Sequence, residues 1–97
     1  MVTDISIYNK ILSRILKEQE MILGSLVWQL AEKISGLQIL NKETYEVRII
    51  GDPKGVIDNF IFRCERIFGS FARDASKQAV SYLTAEMPND DIPERLK

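Results

Sequence analysis

The sequence predicts an α+β fold dominated by helix, in the order α-β-β-α, with two long helices flanking a β-hairpin and meeting symmetry mates in an intersubunit helical bundle. Three observations carry this reading. Apolar residues recur at helical spacing in both halves of the chain, an alternating apolar run sits between them, and an Asp-Pro pair opens the second helical segment.

Asp4 stands where a helix N-cap belongs. From there Tyr8, Ile11, Leu12, Ile15, Ile22, Leu23, Leu26, Leu30 and Ile34 follow the i, i+3, i+4, i+7 pattern of one helical face. This predicts a helix over residues 5–35, closed by Gly36 and open to a bend or split at Gly24-Ser25. Leu37 to Leu40 and Tyr45 to Ile50 then flank the polar Asn41-Lys42-Glu43-Thr44, the pattern of a hairpin whose second arm turns Tyr45, Val47 and Ile49 to one side. Such a ribbon is marginal alone, so it must lie on the helices or pair with another hairpin.

Gly51-Asp52-Pro53 supplies a turn, an Asp N-cap and a proline at the first helical position. Val56, Ile57, Phe60, Ile61, Cys64, Ile67, Phe68, Phe71, Ala75, Ala79 and Leu83 continue in helical register, predicting a second helix over 53–86 that Pro88 ends. Residues 1–88 form one α-β-β-α domain, and 89–97 read as a mobile polar tail in which Ile92 and Leu96 would serve as a docking peptide if they serve at all.

A repeated fragment overlies this plan. Glu20-x-Ile22-x-Gly24-Ser25 returns as Glu65-x-Ile67-x-Gly69-Ser70. A glycine in a helix interior costs about 1 kcal/mol relative to alanine, so two at matching places predict sites where another backbone comes close. Gly69, Ala72, Ser76 and Ala79 form a stripe of small residues, and Gly24, Ala31 and Ser35 a shorter one, which together mark helix crossings or an interface. Glu20 and Glu65 then read as paired carboxylates, as two solvent-facing charges, or as partners of Arg and Lys across the helix pair.

At 97 residues the chain is one domain that buries roughly 60–65% of its unfolded surface. Thirteen basic and fourteen acidic side chains give no overall attraction to nucleic acid or anionic membrane. Histidine is absent, which removes the commonest general base and metal ligand; no cofactor or metal is expected, and the chain reads as non-enzymatic. Cys64 excludes an internal disulfide, fits a reducing compartment and reads as a small buried hydrophobe. The N-terminus lacks a signal-peptide pattern, and Met21 to Ala31 is too short to span a bilayer, so a cytoplasmic, membrane-free protein is expected.

Leu23, Leu26, Val27, Trp28 and Leu30 leave the middle of the first helix almost without a polar side. Such a helix is normally surrounded, which predicts a homo-oligomer, a two-fold dimer first, or a surface kept for a protein partner. Arg63, Arg66, Arg73 and Lys77 form a stripe suited to anions or nucleic acid, although a basic stripe is usually a solvated face. Lys10, Arg14 and Lys17 make a shorter one, with Glu18 placed for an ion pair to Arg14. Gly51-Asp52-Pro53-Lys54-Gly55 lacks the spacing of a P-loop and reads as a structural cap. The leading expectation is a small regulatory or interaction module that binds protein partners through an apolar helix surface. A small-molecule sensor, with a cavity lined by Trp28, Phe60, Phe68 and Phe71, and a nucleic-acid-binding regulator are the alternatives.

Overall fold

Asp4 starts the first helix as an N-cap should: its carboxylate accepts the backbone N–H of Ser6 at 3.0 Å, satisfying an amide that every helix start leaves free. The same bond holds the Asp4 carboxyl below its ordinary range. The computed structural model describes residues 4–97. Its elements are α1 (Ile5–Leu23), α2 (Leu26–Glu32), β1 (Leu37–Asn41), β2 (Glu46–Ile49), α3 (Pro53–Phe68) and α4 (Ser70–Thr84), followed by 3-10 turns at Asn89–Asp91 and Glu94–Leu96. This is a helix-dominated α+β arrangement around an antiparallel hairpin.

Each of the two long helical stretches is two helices: the first takes the split left open at Gly24-Ser25, and the second, expected to be continuous, divides at Gly69. A single helix over 53–86 would be about 51 Å long at 1.5 Å per residue, whereas the molecule's longest dimension is 37 Å. The breaks fall at Gly24 (φ 63°, ψ −149°) and Gly69 (φ 67°, ψ −160°), a backbone region that is essentially glycine's alone. The same bonds surround both. Gly24 N–H closes the preceding turn on Glu20 O at 2.8 Å, and Gly69 N–H does so on Glu65 O at 2.6 Å. The two glycine carbonyls then accept Val27 N–H at 3.2 Å and Ala72 N–H at 3.1 Å, opening the next helix. The sequence echo is therefore one local motif, helix-break-helix, used twice.

Within the chain, Gly24 and Gly69 are not close helix crossings. A Cβ built at either meets nothing within 4 Å, so what requires glycine is the dihedral angle and not the space. The close backbone approach lies instead at Gly36, where a Cβ would come within 2.6 Å of Ile50 O.

The core forms where α1, α3 and α4 converge. Ile11, Leu12, Ile15 and Leu16 of α1 meet Ile57, Phe60, Ile61 and Cys64 of α3, all fully buried. Gln19 joins α1 to α4: its Nε2 donates to Ala72 O at 2.9 Å and to Ser76 Oγ at 2.8 Å, with all three residues fully buried. Burying an amide costs free energy unless it finds partners, and these bonds fix the register of α1 and α4. Gln19 opposite Ala72 and Ser76, together with Tyr8 O–H donating to Asp91 O at 2.7 Å, makes the two helices antiparallel.

The hairpin pairs Leu37 with Ile49 and Ile39 with Val47, with an irregularity between Ile39 and Asn41. Val47 and Ile49 are buried, and Ile49 N–H donates to Asn9 Oδ1 at 3.0 Å, tying the ribbon to α1. At the start of α3, Pro53 occupies the first helical position and Asp52 the N-cap position, but the Asp52 side chain makes no capping bond.

Residues 89–97 do not trail away from the body. The carboxylate of Asp58 accepts the N–H groups of Glu94 at 3.2 Å and Arg95 at 3.0 Å, and Arg95 pairs with Glu65 at 3.1 Å while lying 4.9 Å from the centre of the Phe62 ring. Leu96 is 3% exposed and Pro93 is fully buried. The expectation of a mobile tail thus gives way to a strap laid along the Asp58-Phe62-Glu65 side of α3, for which 3-10 turns too short to show periodicity provide no sequence signal.

Two outcomes follow from these contacts. Gly24→Ala and Gly69→Ala each lower stability by about 1–3 kcal/mol in urea unfolding, and Gly→Leu at the same positions costs little more, because the penalty is conformational. Deleting residues 93–97 lowers stability by about 2–3 kcal/mol through loss of the buried Leu96 and Pro93, readable as a reduced denaturation midpoint.

Candidate functional site

Glu20 sits in the last turn of α1, one turn before the Gly24 break, and gathers two other elements. One carboxylate oxygen accepts the indole N–H of Trp28 at 2.7 Å, from α2; the other accepts the hydroxyl of Tyr45, from the hairpin. The Trp28 and Tyr45 rings stack with centroids 5.8 Å apart. Tyr45 adopts φ 60°, a left-handed conformation uncommon for a bulky residue, and the stack and carboxylate bond oppose its relaxation. The hydroxyl of Tyr45 and then the indole of Trp28 hold the Glu20 carboxyl below its ordinary range, and the charged carboxylate raises Tyr45 in turn.

The breaks redistribute the residues that the sequence brought forward. Val27, Trp28 and Ala31 turn into the chain's own core, Leu23 and Leu30 are half-buried, and Leu26 lies toward solvent. Of the surface expected to meet another subunit, Val27 and Trp28 are therefore covered within one chain, while Leu26 stays open. Glu20 and Glu65 do not face each other as paired carboxylates; each holds a different distant element, Trp28 with Tyr45 in one case and Arg95 in the other. Gly69 separates Arg63 and Arg66 on α3 from Arg73 and Lys77 on α4, so the basic stripe is not continuous, and Arg66 lies over the Phe62 ring at 5.9 Å. Phe60 is fully buried while Phe68 and Phe71 are exposed, so these residues and Trp28 do not line one cavity. Burial, and then the neighbouring Glu65 charge, push the Cys64 thiol up to about 12, which leaves it a thiol rather than a nucleophilic thiolate at neutral pH.

What the fold does bring together is an outward seam on α4. Phe71, Ala75, Gln78 and Tyr82 follow one another at spacings of four, three and four, the pattern of a helix-packing stripe. The inward stripe of the same helix, Ala72, Ser76, Ala79 and Leu83, repeats that spacing; Ala72 and Ser76 are fully buried, and Ala79 and Leu83 pack half-buried against the core. The outward one is not: Phe71 is 59% and Tyr82 65% exposed. With Arg14, Glu18 and Ile22 of α1 and Asp74 and Ala79 of α4 it lines a groove of about 690 Å³.

Sequence periodicity assigned Phe68 and Phe71 to the core because it carried one helical phase through residue 69. The phase restarts at the break, and the 4-3-4 spacing counted from Phe71 alone marks the second stripe. The expected Arg14–Glu18 ion pair is not formed; among the described residues neither side chain, nor Asp74 nearby, has an ion-pair partner.

Among the described residues no helix is long and apolar enough to cross a membrane. No protein-family model matches the chain, and neither the curated proteins nor the solved structures contain a significant match.

The Glu20 cluster has a pH signature. Because its folded-state pKa lies below the unfolded value, its stabilisation is present above the ordinary glutamate range and is lost as pH falls through the lower folded value. Glu20→Gln therefore lowers stability at pH 7 and flattens the acid limb of the stability profile below about pH 4.5. Fluorescence of Trp28, the only tryptophan, reports the same change.

Proposed function

We propose that this chain is a small non-enzymatic interaction module that binds a protein partner through an apolar helix surface and works as a homo-oligomer. The observation that supports this most is the outward seam Phe71-Ala75-Gln78-Tyr82 beside the α1–α4 groove. Its four positions span about 16 Å along the helix, and it combines large side chains with small ones and a charged rim. That combination suits an amphipathic helix laid into the groove. Exposed apolar patches rimmed by polar residues are where soluble proteins meet partners.

The surface differs from the one that hydropathy singles out on the first helix, since Val27 and Trp28 are buried within the chain. The reading of a partner-binding apolar helix moves accordingly from α2 to α4. A role in binding nucleic acid has less support, because the four basic residues that suggested it are divided between two helices.

A photo-crosslinking amino acid in place of Phe71 tests the proposal in cells that express the protein. The expected result is covalent adducts to protein that are absent when the same group replaces Leu40, an exposed apolar residue of the hairpin. Adducts to nucleic acid, or none above the Leu40 control, contradict it.

A further inference from the structure

We infer that the α1–α4 face bearing this groove packs on the same face of a second copy, with α4 antiparallel to α4 and α1 to α1 across a two-fold axis; the inference rests on the interaction reading above and names its partner. Two observations on different helices place the axis at the same level. The first is the order of sizes along the seam. Phe71, Ala75, Gln78 and Tyr82 read large, small, medium, large, and reversing an identical helix against this series sets Phe71 against Tyr82 of the second copy and Ala75 against Gln78 of the second copy. A two-fold contact must be self-complementary. The midpoint of the series falls between Ser76 and Lys77.

The second observation is charge. Arg14 and Glu18 lie one turn apart on the α1 wall of the groove, and neither has an ion-pair partner among the described residues. The Gln19 bonds to Ala72 and Ser76 set the level of α1 against α4, which puts Ile22 beside Phe71, Glu18 beside Ala75 and Arg14 beside Ala79. The midpoint of the charged pair, at Leu16, then lies level with Lys77, within one residue of the seam's midpoint. A two-fold axis there brings Arg14 of each copy to Glu18 of the other, making two ion pairs at the edge of an apolar seam. Opposite charges so placed set register more than raw affinity. Gln78, the one polar residue in the seam, serves the same end, because a polar side chain at a seam position penalises alternative registers.

Sedimentation equilibrium on the intact chain tests the inference. The wild-type protein forms a dimer at micromolar concentration. Arg14→Glu and Glu18→Arg each place like charges against like across the axis and weaken the dimer about tenfold or more. The double variant R14E/E18R restores it, and mixing the two single variants yields heterodimers, since one then offers two acidic and the other two basic groups. Phe71→Asp, at an exposed position, abolishes association while leaving the far-ultraviolet circular dichroism unchanged. A wild-type chain that stays monomeric up to about 100 μM, a dimer indifferent to Phe71→Asp, or charge variants that neither weaken alone nor recover together would overturn the inference. A monomer that still crosslinks from position 71 to a different protein overturns only this assignment and leaves the interaction reading standing. A monomer without such adducts removes both.

Discussion

Two backbone angles shape this molecule. Gly24 and Gly69 hold φ near +65° with ψ beyond −145°, a conformation that side-chain-bearing residues avoid at a cost of about 1–3 kcal/mol, and each converts one helical stretch into two. At Gly69 the break lets α4 return along α1, where Gln19 finds Ala72 and Ser76. At Gly24 it lets α2 turn Val27, Trp28 and Ala31 into the core. Packing then supplies the stability of helices that would be marginal alone. Without the breaks, two helices longer than the molecule would leave the hairpin without a complete bed.

The glutamate four residues before each glycine has two functions. Its carbonyl closes the last turn on the glycine N–H, and its side chain draws in an element distant in sequence, Trp28 and Tyr45 for Glu20 and Arg95 for Glu65. The repeated fragment is thus a unit of architecture, in which a turn and a tether are specified together. The Arg95–Glu65 pair is partly exposed, so its own contribution is small; burial of Leu96 and Pro93 and the Asp58 carboxylate at two N–H groups do more to hold the strap.

Much of this was legible in the residues, and the failures have physical causes. The Asp4 cap, the hairpin from Leu37 to Ile49 and the Pro53 helix start all rest on local interactions that the sequence displays. The split at Gly24 was open on local grounds, whereas that at Gly69 was hidden by apolar residues on both sides that happen to continue a helical phase. Gln19 carried no signal, since a polar residue inside an apolar stripe reads as solvent-facing until its partners on α4 are known. The strap was hidden because a single buried leucine and proline show no period. The outward seam of α4 was obscured by that same false phase, which put Phe71 in the core.

The seam exists only because α4 begins anew at Ser70, so the interaction surface depends on the same break as the fold. The most direct measurement is therefore of helix direction in solution. Residual dipolar couplings of backbone N–H groups across residues 53–84 should require two separate axes, one for α3 and one for α4, with the change confined to Phe68–Ser70. Couplings that fit a single continuous axis through Gly69 would contradict the account, and with it both the α1–α4 register and the seam.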